Sequence, residues 1–326
     1  MRILTLIPRY VPAHNAGSEI MVARLHRVLA DAGHEVQVVT TWNAGRRSYV
    51  HQGISVEEVG AAEVDALAGA FSPDVILSQY DEVARAARLS ARIGIPWVAL
   101  IHKDNADALA CLARRPHLAV FNTRHLAAHF AGYTGASIIV HPPVFAAEHA
   151  TTPGESVTLV NLSADKGAGV FYALADRFPG RSFLGVIGGY GQQDVRADRP
   201  NVLIHDHTTN MREVWRRTGI VLMPSRNESY GLVAVEAMAS GIPVIAHPTP
   251  GLRECLGAGG LFADRDDLDA WSAALMDLAN PDRFAAASSY ARLRSHKLST
   301  EGAAELAAFV AAFERLAQRR TGFAAA

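Results

Sequence analysis

The stretch Met223 to Ala246 reads MPSRNESYGLVAVEAMASGIPVIA and holds two glutamates, Glu228 and Glu236, eight residues apart. An apolar run, Gly219 to Met223, predicts a strand that ends at Pro224-Ser225. Gly241 and Pro243 stop the helix that follows, and Val244-Ile245-Ala246 starts the next strand. Glu228 therefore stands just before a helix, and Glu236 about two turns into it. The C-terminal ends of strands are where α/β sheets bind their ligands. Backbone N–H groups of Gly231, Leu232 and Val233 leave the helix start and suit a phosphate, and Ser229 and Tyr230 lie on the same approach. Carboxylates on either side of an anion site accept hydrogen bonds from sugar hydroxyls. The expectation is a nucleotide-sugar pocket.

Positioning such a pocket needs parallel strands alternating with helices, and the chain supplies the pattern twice. The first half has strand candidates at Arg2–Ile7, Glu35–Thr41, Asp74–Gln79, Trp97–His102, Ala119–Asn122 and Ala136–His141. A helix over about Glu19 to Asp31 carries Ile20, Val22, Leu25, Val28 and Leu29 and ends near Gly33. Pro142-Pro143 and Thr151-Thr152-Pro153-Gly154 mark a linker. The second half repeats the alternation, with strands at Val157–Leu162, Phe183–Gly188, Val202–Asp206, Gly219–Met223, Val244–His247 and Gly260–Ala263. A last helix, roughly Glu301 to Arg319, has Leu306, Phe309, Val310, Phe313 and Leu316 on one stripe.

Composition narrows the function classes. At 326 residues the chain is long enough for two ordinary domains, and a formal charge of −1 gives no reason to expect a nucleic-acid partner. Cys111 and Cys255 are too few for a disulfide framework and fit a reducing cytosol. No signal peptide precedes the first strand, and no apolar stretch approaches the ~20 residues of a membrane span. Only three basic residues are lysines, Lys103, Lys166 and Lys297. Arg85, Arg88 and Arg92 share a helical face, which reads as a solvated face or as weak peripheral contact with an anionic membrane.

A Glu, seven residues and a Glu, preceded by Pro-Ser and followed by AMASGIPVIA, resembles the retaining glycosyltransferases of family 4. The resemblance implies the GT-B fold: two Rossmann-like domains with parallel sheets facing across a cleft. It divides the chain into an acceptor-binding domain, 1–148, and a donor-binding domain, 149–300, with the helix over 301–319 returning to the first. It implies a nucleotide-diphosphate sugar as co-substrate, a UDP-sugar first and a GDP-sugar second. No other cofactor and no metal are expected, and the reading finds no Asp-x-Asp motif at a strand end to chelate magnesium. The acceptor is a hydroxyl on a glycan, glycolipid or natural product.

The family's residues carry over position by position. Glu236 is expected on the ribose hydroxyls and Glu228 on the donor sugar near O3. Lys166, a point charge after the first strand of the second half, should sit beside the diphosphate, where a charge-assisted hydrogen bond contributes ~1.5–3 kcal/mol. It also reads as an exposed lysine at a helix start. The family has Arg-x4-Lys-Gly here, and this chain has Asn161 in place of the arginine, with Arg226 a substitute source of charge. Gly17-Ser18 is similar to the family's small-residue pair after the first strand and is expected to bind the donor, the Gly17 amide at the diphosphate; it also reads as a turn glycine with a serine N-cap. Gly188-Gly189 is similar to the family's glycine turn, and the loop Thr208 to Met211 is placed near the base. His102, at a strand end, is expected at the reaction centre, and Asp104 toward the acceptor.

His205-Asp206-His207 resembles a metal trap in composition, but alternate side chains of a strand end point to opposite faces and no third ligand follows. Rival readings are a nucleotide-sugar epimerase or hydrolase on the same scaffold, and a non-catalytic nucleotide-sugar-binding subunit. A nicotinamide oxidoreductase lacks its G-x-G-x-x-G after the first strand.

Overall fold

In the computed structural model, residues 1–42, 45–196 and 198–323 are described. The chain divides into two units, Met1–Pro143 joined by the chain from Gly302 onward, and Val144–Glu301. The division falls just after the proline pair Pro142-Pro143 and puts His149 in the second unit.

The first unit has eight strands: β1 (Arg2–Ile7), β2 (Glu35–Thr40), β3 (Arg47–His51), β4 (Ile54–Glu58), β5 (Val75–Ser78), β6 (Trp97–Ile101), β7 (Leu118–Phe121) and β8 (Ser137–Ile139). Their order across the sheet is β3-β4-β2-β1-β5-β6-β7-β8. All neighbours pair in parallel except the β3–β4 hairpin. Strands such as RILTLI are buried on both faces, so they read as unbroken apolar runs. The hairpin has no such run. Its turn residues Gln52 and Gly53 both have positive φ (48° and 81°), the requirement of a type I′ turn. Ile54 and Val56 point inward while Val50 on the edge is 71% exposed.

The second unit has six parallel strands: β9 (Ser156–Val160), β10 (Phe183–Val186), β11 (Val202–His205), β12 (Thr218–Met223), β13 (Val244–Ala246) and β14 (Leu261–Phe262), in the order β11-β10-β9-β12-β13-β14. This is the doubly wound order in which the chain starts in the middle, moves one way, then returns to the other side of its first strand. The switch point lies between β9 and β12, and crevices form there at the strands' C-terminal ends. In the first sheet the switch lies between β1 and β5.

Helix starts are fixed by side chains that accept orphan amide hydrogens. Asn105 accepts from Ala108 N at 3.1 Å, Thr123 from Leu126 N at 3.2 Å, and Thr249 from Leu252 N at 3.2 Å. Pro250 follows Thr249 in the first helical turn, where its missing N–H costs nothing.

The last helix runs Pro281–Phe323, longer than the stripe alone predicts. Ala291 and Leu298 belong to a core of the second unit, whereas Phe309, Ala312, Phe313 and Leu316 are buried in the first unit with Ile3, Val22 and Val140. Glu305 fastens this end: it accepts from His141 N at 2.9 Å and pairs with His141 Nδ1 at 2.8 Å. Arg85 and Arg92 are not free cations on their helix face. Arg85 binds Glu82 at 2.7 Å and Arg92 binds Asp65 at 2.6 Å. Among the described residues no helix is long and apolar enough to cross a membrane.

Candidate functional site

In the second unit, the loops leaving β9 and β12 bring Lys166 and Glu228 together at the switch point. Lys166 Nζ donates to Glu228 Oε2 at 2.5 Å, with 19% and 16% of the two side chains exposed. Burial works against the ammonium, yet Glu228 and the neighbouring Tyr190 hydroxyl outweigh it, and Lys166 is held above its ordinary value. It stays a cation.

The loops meet closely because glycine permits it. Gly167 has φ 95°, and a Cβ there would lie 2.4 Å from Pro224 Cγ. Gly231, at φ 102°, caps the helix Leu232–Met238, and a Cβ would lie 2.7 Å from Leu252 Cδ2. Arg265, just after β14, clamps the same loops. Its guanidinium donates to Ala164 O at 2.5 Å, to Asp165 O at 3.0 Å and to Pro224 O. Arg226 lies exposed on the β12 loop, and its backbone N–H donates to Asp165 O at 2.9 Å. Burial and the adjacent Arg226 push Arg265 below its ordinary value.

Glu236 is 5% exposed, on the helix Leu232–Met238, with His149 Nε2 3.7 Å from its Oε1. A carboxylate this buried needs a partner of this kind. Leu232 and Val233 are half-buried, Ser229 and Gly189 exposed, and Met211 packs partly against the core. Tyr230 is different: it is 3% exposed and belongs to the core, so its ring fills the interior instead of facing a ligand.

Asn161 also departs from the sequence expectation. Its φ is 72°, a left-handed conformation that asparagine tolerates. Its Oδ1 accepts from Ser163 N and Gln193 Nε2, both at 3.0 Å, and its Nδ2 donates to Tyr190 O at 3.3 Å. Gln193 Oε1 in turn accepts from Leu162 N at 2.9 Å and Gly188 N at 2.8 Å. Both amides thus bracket the β9 loop to the Gly188–Gly191 turn, and Asn161 spends its carbonyl oxygen and one amide N–H on that bracket. A Cβ on Gly188 would lie 2.3 Å from Asn161 Cγ, which explains the glycine.

In the first unit, Gly17 and Ser18 open the helix Gly17–Asp31, whose N-cap is Ala16. Ser18 is therefore inside the first turn and not its cap; its hydroxyl donates to Glu19 Oε2 at 2.9 Å. His102 follows β6 and is 5% exposed. Its Nε2 lies 2.6 Å from Gln79 Oε1, and Tyr80 stacks on the ring at 5.4 Å. Burial, helped by Lys103, pushes its pKa down to about 4, so the ring is neutral at pH 7. Asp104 is exposed beside it.

His205 and His207 turn their Nδ1 atoms to the backbone carbonyls of Asp206 (2.6 Å) and Ile187 (3.3 Å). One Asp-x-Asp, Asp264-Arg265-Asp266, does follow a strand end, β14, and the sequence reading passed over it. Asp264 Oδ1 accepts from Asp266 N at 3.1 Å. Among the described residues no three His, Cys, Asp or Glu side chains are grouped to hold a metal ion.

Sequence reasoning missed Arg265, His149, Gln193 and Gln79. Arg265 and Gln79 follow strand ends, which is a weak signal. His149 and Gln193 carry none, since each acts through a partner distant in the chain.

Comparison with known proteins fits this arrangement. Residues 166–280 match the family model for glycosyl transferases group 1. A curated D-inositol 3-phosphate glycosyltransferase of Corynebacterium urealyticum is 39% identical over 95 residues, 28% of this chain and 22% of that protein. The alignments thus span about a fifth of the length of the curated relatives. Sucrose-phosphate synthase from Thermosynechococcus elongatus superposes with a TM-score of 0.76 at 17% identity over all of both chains. HepE from Anabaena, solved with UDP-glucose, gives 0.72 at 16% identity over 99% of this chain and 100% of that one. The chain thus has the GT-B fold, and Lys166, Glu228 and Glu236 lie inside the segment that matches glycosyl transferases group 1.

Proposed function

We propose that the chain is a retaining, metal-independent glycosyltransferase that moves a sugar from a nucleotide-diphosphate sugar to an acceptor hydroxyl. The observation that supports it most is the Lys166–Glu228 contact at the switch point of a doubly wound sheet. A diphosphate within reach of Lys166 competes with Glu228 for the ammonium, and Glu228 is then available to sugar hydroxyls. Glu236, with His149 beside it, takes the ribose hydroxyls. Amides at Gly231, Leu232 and Val233, with the exposed Arg226, add positive potential for the leaving diphosphate, which is electrostatic stabilisation of developing charge. The bond from the anomeric carbon to the phosphate oxygen breaks, the acceptor oxygen bonds the same face, and the departing phosphate takes the acceptor's proton.

UDP-glucose is the first donor to try, since HepE was solved with it. The relatives' names make D-inositol 3-phosphate the first acceptor. Thermal shifts against UDP, GDP, TDP and ADP identify the base, because a ligand at 100 times its Kd adds ~2.7 kcal/mol. Glu236→Ala should weaken binding of the nucleotide, while Glu228→Gln should leave it bound and impair transfer. Equal losses of binding in both variants would sink the division of roles. An α-linked product from an α-linked donor is expected, and an inverted product would overturn retention.

A further inference from the structure

At the C-terminal ends of three adjacent strands of the first unit, β5, β6 and β7, stand Ser78, Gln79, His102 and Asn122, all buried. Gln79 is 0% exposed, and its carbonyl Oε1 lies 2.6 Å from His102 Nε2. A carbonyl oxygen only accepts, so this contact requires the proton on Nε2. The other ring nitrogen, Nδ1, then carries a lone pair. Tyr80, in a left-handed conformation at φ 51°, stacks on the ring and fixes its plane, and Lys103 Nζ lies 5.7 Å from the Tyr80 ring centre. Packing alone does not call for this polarity, because replacing both partners of a buried hydrogen bond by apolar groups of the same shape is close to neutral. Ser78 Oγ, Gln79 Nε2 and Asn122 Oδ1 are likewise buried with no hydrogen-bond partner among the described residues. Unmet polar groups in native interiors call for an explanation of their own.

We propose that Gln79 is a positioning residue: it holds His102 as the Nε2–H tautomer, so that Nδ1 accepts a hydrogen bond from a hydroxyl of a polyol ligand. The ligand class rests on the glycosyltransferase reading, but the tautomer does not. The chemistry is that of any sugar or cyclitol hydroxyl, whether on the donor sugar or on the acceptor. The titratable groups facing the ring are Lys103, whose charge disfavours the imidazolium, and Tyr80.

The test is nitrogen-15 NMR of the full chain labelled at histidine, at pH 7. His102 should appear neutral, with the proton on Nε2; a proton on Nδ1 would overturn the proposal. Adding UDP, then UDP-glucose, then UDP with free glucose or myo-inositol separates the sources of the hydroxyl. A response of Nδ1 to UDP-glucose and not to UDP assigns the donor sugar. A response only when free glucose or myo-inositol is added assigns the acceptor. Calorimetry on the same samples reports binding: if UDP-glucose binds and Nδ1 responds to none of the ligands, the proposal fails while the donor-binding reading stands. If no nucleotide binds, that reading fails, and the proposal is judged by the tautomer. Gln79→Met should lower kcat about tenfold, the worth of one net hydrogen bond, with the donor KM little changed. Gln79→Glu keeps an acceptor for Nε2–H but favours the imidazolium, so the acid limb of the pH–rate profile should move up. An acid limb at the wild-type pH in Gln79→Glu would reduce Gln79 to a packing residue.

Discussion

Two sheets of similar winding end in different chemistry. At the switch point of the second unit stand a lysine, a glutamate and a clamping arginine, with a second glutamate and a histidine 3.7 Å apart behind them. The corresponding strand ends of the first unit carry a serine, a glutamine, a neutral histidine and an asparagine. Its deepest polar contact is also uncharged: His26 is hydrogen-bonded by Thr5 and Tyr10, both at 2.8 Å, and burial pushes its pKa down to about 3. A buried cation and carboxylate suit an anionic leaving group, because in a partly desolvated site their field is strong. Neutral donors and acceptors suit hydroxyl groups, which carry direction but no charge. The fold therefore does not decide what each sheet does; the few side chains at its strand ends do.

The largest effect expected from breaking this contrast is at Lys166. Lys166→Met removes the cation and leaves Glu228 without its partner, and UDP affinity should fall about 10- to 100-fold, the worth of a ~1.5–3 kcal/mol charged hydrogen bond. Calorimetry reads it directly, and unchanged affinity would place the anion site elsewhere. Asn161→Arg comes next. The family-like arginine should not tighten nucleotide binding here, because the bracket to Gln193 and Gly188 is lost and a long side chain enters a left-handed position. Melting should show a loss of ~1–3 kcal/mol, the cost of a left-handed bulky residue and of unpaired buried amide groups. A gain in UDP affinity with unchanged stability would show that the loop has room for the guanidinium.

The smallest effect concerns a charge that the first unit does use. Burial raises the Glu305 carboxyl's pKa, but His141, aided by Arg124, outweighs it and holds Glu305 below its ordinary value. A depressed carboxylate contributes stability that is present above the unfolded value, ~4.3, and lost as pH falls through the folded one. Thermal melting between about pH 5 and 2 should therefore fall more steeply in the wild type than in Glu305→Gln. Parallel slopes would mean that the terminal helix is held by its apolar stripe alone.

Much of the scaffold was legible before any coordinates. Parallel strands buried on both faces need continuous apolar runs, so the twelve strand candidates all have counterparts in the sheets. The β3–β4 hairpin escaped because an edge strand is exposed on one face and reads as polar, and its Gln-Gly turn is a weak signal. The pair Lys166 and Glu228 was legible because each follows a strand that the pattern itself locates. Asn161 and Tyr230 were assigned to the ligand for the same reason, and the structure turns their side chains to the β9 loop bracket and to the core. Position in the chain puts a residue near the site, but it does not say which way the side chain turns.

What the sequence alone determined was the alternation of strand and helix, the residues at each strand end and the family that the second unit's loops resemble. These are local properties: periodicity, glycine and proline punctuation, and spacing along one strand–loop–helix segment. Tertiary structure alone decided which strand lies beside β9, and hence that Lys166 meets Glu228 across 62 residues of chain. It also decided that Arg265 ties both loops, that His149 stands beside Glu236, and that Gln79 faces His102. Hydrogen bonds and ion pairs act over a few ångströms of space without regard to distance along the chain, so their partners are named only when the sheet has closed.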